Sequence, residues 1–298
     1  MIKANHTIFK FYLTLMDSFS EYLSRKYTES SLENTDHYRT VIIQKIVRVF
    51  HTLEMFTNES QDGVSVRCVL RGILDNVATY CFIYQRDDEN EIMFRHYLYA
   101  LDGYKTYKQH VVDGIMEKEG DVQQYEKVCN TIIIQLKHQL QSHPYSEQKD
   151  ENVEKIIKHA NWKYESLQNP TPLKYGMIYK QIGFNDNMAN YYQHYLPQFA
   201  HGLCLSNFPV NDIKQIKGVM YESIPIADKM IGAIFNTFPM DKEKMWNEAW
   251  HSGKITNMIN QPDFNINPNR SLEKLSNFLL EKSSTNGTNV SSENRFHQ

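Results

Sequence analysis

A column of charged side chains in an otherwise apolar segment is the first feature of this sequence that could do chemistry. Arg67, Arg71 and Asp75 follow one another at intervals of four residues. Because residues four apart stack on one face of an α-helix, the three side chains would form one column. Charged groups are costly in apolar surroundings unless they are paired, so the column needs an explanation.

The Arg71–Asp75 pair allows two interpretations. In the functional one, Arg71 binds a carboxylate or phosphate group of a ligand, and Asp75 orients that ligand or accepts a proton. In the structural one, the two residues form an ion pair that fastens neighbouring helices, and we favour this interpretation for a single sequence. Arg67 is expected to point to the edge of the bundle and into water.

A second group of polar side chains follows a proline-rich boundary near residues 168–172. Its members are Tyr191, Tyr192, His194, Tyr195 and His201. If their helix packs against the first one, Tyr195 and His201 would meet the charged pair. An imidazole beside the Asp75 carboxylate could act in acid–base chemistry or hold a metal. The alternative is a histidine bonded to a backbone carbonyl among core tyrosines, and we prefer it.

Motifs for common cofactors are missing from the sequence. No HxxxH or HExxH pattern occurs, and a metal held by Asp75, His96 and His201 would need three separate helices to converge. There is no GxxxxGK[ST] or GxGxxG loop for phosphates, and no GxSxG elbow of a hydrolase. We therefore expect no metal site, and the sequence indicates no particular cofactor.

The segment that carries the charged column has the pattern of a central helix. Its apolar residues recur at helical spacing: Val66, Val69, Leu70, Ile73, Leu74, Val77, Cys81 and Tyr84. The opposite side is hardly more polar, since it carries Ala78 and Phe82. A helix that is apolar nearly all round belongs inside a bundle rather than on its surface.

Composition favours helices along the whole chain. Of the 298 residues, 41% are hydrophobic and 22% are charged, as in ordinary globular proteins. Only 12 Gly and 9 Pro interrupt a chain with 19 Tyr and 15 Phe, which suits long helices better than turn-rich sheets. We predict an all-α fold, a multi-helix bundle with its central apolar helix at about residues 62–85.

The predicted helices cover most of the chain. We expect them at residues 7–27, 35–57, 62–85, 88–115, 121–141, 146–167, 173–182, 185–197, 219–237, 241–251 and 271–282. Residues 1–252 would form the main bundle, with a sub-boundary near 168–172. Residues 253–282 would be an irregular extension with a short helix, and residues 283–298 a disordered tail.

Charge and cysteine usage limit the partners and the compartment. A net charge of −3 gives no strong nucleic-acid signature, and no apolar run is long enough to span a membrane. The cysteines, at positions 68, 81, 129 and 204, lie far apart and form no CxxC pair. This pattern favours buried thiols in a reducing, cytoplasmic compartment. A homo-oligomer is compatible with the sequence.

The stretch Arg67–Tyr84 resembles the Arg-x-x-x-Glu helix of an all-helical family from bacteria and phages, whose members are known mainly as a domain of unknown function. Arg71 matches the family's arginine, and Asp75 stands where glutamate is usual. The resemblance covers roughly residues 40–240. It implies a fold more than an activity.

A later helix of that family carries a Tyr-x-x-x-Ser-x-x-x-His pattern, and His201 matches its histidine. Gln193 stands at the tyrosine position, with Tyr192 one residue out of register. Pro197 stands at the serine position, which puts the corresponding polar contact in doubt.

A weaker resemblance is to helical bundles of the prokaryotic toxin and abortive-infection type, some of which are ribonucleases. Those nucleases carry an Arg and a His with four to six residues between them. Here Arg48 and His51 are only three apart, and Arg95 and His96 are adjacent. This departure argues against that mechanism.

Three hypotheses for the function follow. The leading one is a helical protein, non-catalytic or of undefined activity, with a polar ligand site in the bundle core at Arg71, Asp75, Tyr195 and His201. The alternative is a hydrolase or nuclease of the defence or toxin type that uses His201 and Asp75 as acid and base. The third is a partner-binding helical scaffold, for which a large exposed aromatic patch would be the sign.

Overall fold

The computed structural model describes residues 2–59, 62–112, 121–147, 150–201 and 213–260. These residues form helices joined by turns and contain no strand, which confirms the all-α prediction. In chain order the helices are α1 (Ile2–Lys26), α2 (Thr35–Glu59), α3 (Gly63–Tyr84), α4 (Glu89–Tyr107), α5 (Asp121–Gln141), α6 (Pro144–Glu147), α7 (Glu151–Lys158), α8 (Tyr175–Gln181), α9 (Asp186–His194), α10 (Leu196–Ala200), α11 (Ile213–Thr237), α12 (Lys242–His251) and α13 (Lys254–Ile259).

Helix α3 is the centre of the bundle, as its apolar pattern predicts. Asp62 caps its N-terminus, where the carboxylate accepts a hydrogen bond from the backbone N–H of Val64. Every residue from Val77 to Tyr84 is buried, so the C-terminal half has no solvent-facing side. Helices α2, α4, α8, α10 and α11 pack around it. This enclosure explains why both sides of α3 are apolar.

Helices α1, α2 and α11 complete the main core. α1 packs on α2, α11 and α12, and α11 packs on both α2 and α3. Large apolar side chains such as Phe19 of α1, Phe50 of α2 and Ile231 of α11 are fully buried between them. α11 begins before the predicted residue 219, because Ile216 continues the apolar spacing and is buried as well.

Residues 146–167 do not form the single helix that we predicted. α7 ends at Lys158, and Trp162 and Tyr164 are then buried, with 6% and 1% of their surface exposed. Their backbone carbonyls accept hydrogen bonds from the buried guanidinium of Arg95 on α4. Sequence patterns did not reveal this attachment because the anchoring groups belong to the backbone.

Two helix ends also differ from the prediction. The helix expected at 88–115 ends earlier, since α4 stops at Tyr107 and a π-helical turn, Lys108–Val112, follows it. Predicted residues 113–115 lie outside the described part of the chain. The break expected near Pro197 occurs at Tyr195, between α9 and α10. Pro197 itself lies in the first turn of α10, where its missing N–H costs no hydrogen bond.

The C-terminal extension is helical at its start. The irregular structure predicted from residue 253 is wrong for α13, because Ile255 is buried against the bundle. The predicted helix at 271–282 and the tail at 283–298 lie outside the described residues. The sub-boundary near 168–172 stays a prediction. Within the described ranges, no helix combines the length and apolarity needed to cross a membrane.

Candidate functional site

Arg71 and Asp75 form an ion pair at a junction of three helices. Arg71 Nε lies 2.9 Å from Asp75 Oδ2. Arg71 Nη1 donates to the carbonyl of Tyr192 on α9 at 2.9 Å, and the hydroxyl of Tyr179 on α8 donates to Asp75 Oδ1 at 2.6 Å. The two charged side chains are 17% and 30% exposed. The pair therefore joins α3 to both α8 and α9.

Aromatic side chains enclose this junction. The Arg71 guanidinium lies 5.9 Å from the ring centroid of Tyr175 and 5.7 Å from that of Tyr179. Burial, together with the negative charge of Asp75, raises the pKa of Tyr179 well above its usual value, so the phenol keeps its proton and donates it. Both oxygens of Asp75 thus have partners, as the structural interpretation requires. A role of the pair in ligand binding stays a prediction.

Arg67 corrects our expectation that this side chain points into water. The residue is only 4% exposed and donates through Nη1 to the carbonyl of Gly63 at 3.1 Å. Its guanidinium lies 5.0 Å from the ring centroid of Phe199 and 6.0 Å from that of Tyr195. Helix α10 packs on α3 and covers Arg67, so tertiary packing rather than the position on the helix decided its burial.

His201 and Tyr195 are not bonded to the charged pair. His201 is exposed at the end of α10, and its ring has no hydrogen bond or ion pair within the described residues. The contact between His201 and Asp75 that the enzyme hypothesis needs is therefore absent from this part of the chain. Tyr195 instead stacks on Tyr191, with ring centroids 4.9 Å apart and planes inclined by 24°.

A cavity of about 620 Å³ that opens to solvent lies between α9 and α11. Tyr192 connects it to the charged pair, because the carbonyl of Tyr192 accepts a hydrogen bond from Arg71. Tyr191 donates its hydroxyl proton to Glu222 Oε2 at 2.7 Å, and Tyr192 donates to the backbone carbonyl of Glu222 at 3.1 Å. Pro225 lies inside α11 and has no N–H to donate to the carbonyl of Tyr221, four residues before it. We call this space the α9–α11 cavity.

The lining of the α9–α11 cavity combines aromatic rings with charged groups. Tyr191, Tyr192 and Tyr221 lie at the Glu222 end. Burial, followed by the charge of Glu222, raises the pKa of Tyr191 well above its usual value, which keeps the hydroxyl protonated beside the carboxylate. A cavity of this volume is within the range of small-molecule sites.

Two further charged residues of α11, Asp228 and Lys229, line the same cavity. Asp228 accepts a hydrogen bond from the hydroxyl of Tyr12 on α1 at 3.3 Å. The amine of Lys229 lies over the turn between α8 and α9, since a β-carbon on Gly183 would stand 3.0 Å from it. Lys229 has no ion pair within the described ranges.

Sequence reasoning singled out Tyr191 and Tyr192 but missed the α11 residues that complete the cavity. A signal was present. Glu222, Asp228 and Lys229 interrupt the mostly apolar part of α11 from Val219 to Phe235, as the charged column interrupts α3. The same rule, that charges on a buried helix need an explanation, would have found them.

Two other buried polar clusters are fully bonded inside the bundle. Asp241 is 1% exposed and accepts hydrogen bonds from Tyr22 at 3.0 Å, Lys26 at 2.5 Å and Tyr27 at 2.6 Å. Burial alone would raise the pKa of Asp241, but the three hydrogen bonds outweigh it and lower the pKa below its usual value. The cluster ties the end of α1 to the start of α12.

His96 forms the second cluster. Its Nδ1 lies 2.9 Å from the hydroxyl of Tyr84, and its Nε2 lies 3.2 Å from the carbonyl of Leu32. Burial lowers the pKa of His96 to about 4, so the ring is neutral at physiological pH. The metal set that we considered in the sequence does not assemble: across the described residues, no three His, Cys, Asp or Glu side chains come together as ligands.

Exposed apolar side chains bear on the scaffold hypothesis. Large hydrophobic side chains with at least two-fifths of their surface exposed lie on α2, α4, α5, α8, α11 and the 3₁₀ turn Pro239–Asp241. The aromatic members are Tyr107, Tyr125 and Tyr221. They belong to three different helices, α4, α5 and α11.

Comparisons of the chain with protein-family models, with curated proteins and with solved structures find no match.

Proposed function

We propose that this chain is a ligand-binding helical protein, and that the α9–α11 cavity holds a small molecule with a positively charged amine at its Glu222 end. The observation that carries the proposal is a carboxylate fixed by a tyrosine hydroxyl among three aromatic side chains, inside a cavity of about 620 Å³.

The chemistry of the Glu222 end fits a cation. An ammonium group donates charge-assisted hydrogen bonds to a carboxylate, and it is also attracted to the faces of aromatic rings. Tyr191 orients the Glu222 carboxylate through one oxygen, Oε2, and no other described side chain is bonded to Oε1. The second oxygen can therefore accept a hydrogen bond from an amine.

The Arg71–Asp75 pair supports the cavity wall in this proposal instead of contacting the ligand. Arg71 holds the carbonyl of Tyr192, and the hydroxyl of Tyr192 reaches the Glu222 carbonyl. The polar column of α3 is thereby connected through one tyrosine to the helix that carries the ligand-binding carboxylate. This keeps the predicted ligand function and moves its centre from α3 to α11.

Calorimetric titration with n-hexylamine at neutral pH tests the proposal. We expect binding to the wild-type protein and at least ten-fold weaker binding to Glu222→Gln, because the amide keeps the shape and still accepts from Tyr191 but lacks the charge. Glu243→Gln, on an exposed position of α12, is the matched control and should bind like wild type. No binding to wild type, or equal binding to Glu222→Gln, would refute the proposal.

We also propose a cytoplasmic location and membership of the all-helical bacterial and phage family described above. Cys68, Cys81 and Cys129 are unpaired thiols, and burial raises the pKa of Cys81 to about 12, which suits a reducing compartment. Arg71 and His201 carry the family resemblance. Fractionation of cells that express the tagged chain tests the location, and a membrane-bound or exported pool would contradict it.

A further inference from the structure

The α9–α11 cavity has groups of opposite charge at two levels of one helix. Glu222 and Lys229 are seven residues apart on α11, and both line the cavity. Seven residues make two helical turns, so the side chains project from the same face about 10 Å apart along the axis. One helix face therefore presents an acid at one end of the cavity and an amine at the other.

Within the described residues, the Lys229 amine has no hydrogen bond or ion pair that would explain its position. It lies over Gly183, whose φ of 97° is a left-handed conformation that glycine adopts readily. Asp228 is the neighbouring acid, yet it accepts from Tyr12 and forms no ion pair with Lys229 within the described residues. An anionic group in the cavity could therefore reach the amine.

The N-terminus of α9 adds positive potential at the same end. Gly183, Phe184 and Asn185 line the cavity where the nine-residue α9 begins. The first N–H groups of a helix favour a nearby negative charge. Asp186, in that first turn, is paired with Lys180 at 2.9 Å, and neither residue lines the cavity.

From this arrangement we infer that the ligand is dipolar, an ω-amino acid or short peptide-like molecule whose amine lies at Glu222 and whose carboxylate lies at Lys229. The inference rests on the proposed function, since it adds a second anchoring group to the same cavity. A dipolar ligand satisfies both charged ends at once, whereas a simple amine leaves Lys229 without a partner.

A matched pair of probes tests the second anchor. 6-Aminohexanoic acid and n-hexylamine share a six-carbon chain and an amine, but only the former carries a carboxylate. We expect the amino acid to bind wild type about five-fold tighter or more, and the difference to disappear in Lys229→Gln. Lys229→Arg should restore part of it, because arginine keeps the positive charge. Lys244→Gln, exposed on α12, should leave both affinities unchanged.

The outcomes separate the two proposals. If n-hexylamine binds through Glu222 but the added carboxylate brings no gain, or Lys229→Gln keeps the gain, the dipolar ligand is refuted while the cation site stands. If neither probe binds wild type, the cation site itself is refuted. Circular dichroism of each variant confirms that a lost affinity does not reflect unfolding.

Discussion

Replacement of Tyr179 by phenylalanine removes one hydroxyl group from the junction of α3 and α8 and leaves the ring in place. That hydroxyl donates to Asp75 Oδ1 at 2.6 Å, whereas Asp75 Oδ2 keeps its contact with Arg71. Tyr179→Phe therefore tests a single contact across two helices. Asp75→Asn removes the charge of the acceptor, and the double variant completes a thermodynamic cycle.

The expected size of the effect follows from the charge and burial of the partners. A hydrogen bond to a charged group contributes about 1.5–3 kcal/mol to stability. Tyr179 is fully buried, but the Asp75 side chain is 30% exposed, so water partly replaces the lost bond. We therefore expect Tyr179→Phe to lower the free energy of unfolding by roughly 1–2 kcal/mol, with a coupling energy to Asp75→Asn of about 1 kcal/mol.

Urea unfolding followed by circular dichroism measures these free energies. Tyr125→Phe is the matched control, because Tyr125 is 48% exposed on α5, and its loss of a hydroxyl should cost less than about 0.5 kcal/mol. The Tyr179–Asp75 hydrogen bond does not fasten α8 to α3 if Tyr179→Phe and Tyr125→Phe are equally stable. A coupling energy near zero would lead to the same conclusion.

Two more predictions concern the buried polar clusters. Arg95→Met should lower the free energy of unfolding by about 3–5 kcal/mol, because the carbonyls of Trp162 and Tyr164 and the carboxylate of Glu91 lose their hydrogen-bond donor. Arg48→Met, at an exposed position, is the control. A cost under about 1 kcal/mol for Arg95→Met would contradict the role of Arg95. The folded-state pKa of His96, about 4, lies below the usual 6.5, so only the unfolded chain takes up a proton in this interval. The free energy of unfolding should thus fall by up to about 3 kcal/mol as the pH drops from 6.5 to 4. In His96→Gln this part of the pH dependence of stability should disappear. An unchanged pH dependence in the variant would show that His96 is not its source.

The candidate site was predictable only in part. The charge column on α3 and the tyrosine segment on α9 were both visible as residue types at helical spacing, and the two do meet through Arg71 and the Tyr192 carbonyl. The cavity was not predictable, because its other wall is α11, and nothing in the local pattern of either helix records which helix it faces. His201 was equally visible as a residue type, and its exposed position at the end of α10 was not predictable either.

The sequence by itself determined the helices and the interior place of α3. Helical periodicity and end caps are local properties, set by residues within about one turn of one another, and they predicted α3 and α5 closely. Tertiary structure alone decided which polar groups meet. Tyr179 and Asp75 are 104 residues apart in the chain, and Arg95 bonds carbonyls 67 and 69 residues away. Which partners meet depends on how whole helices pack. Every residue has a backbone carbonyl, so the sequence does not show which carbonyl will accept a hydrogen bond. Burial of Arg67 under α10 and the opposed charges of the α9–α11 cavity have the same origin.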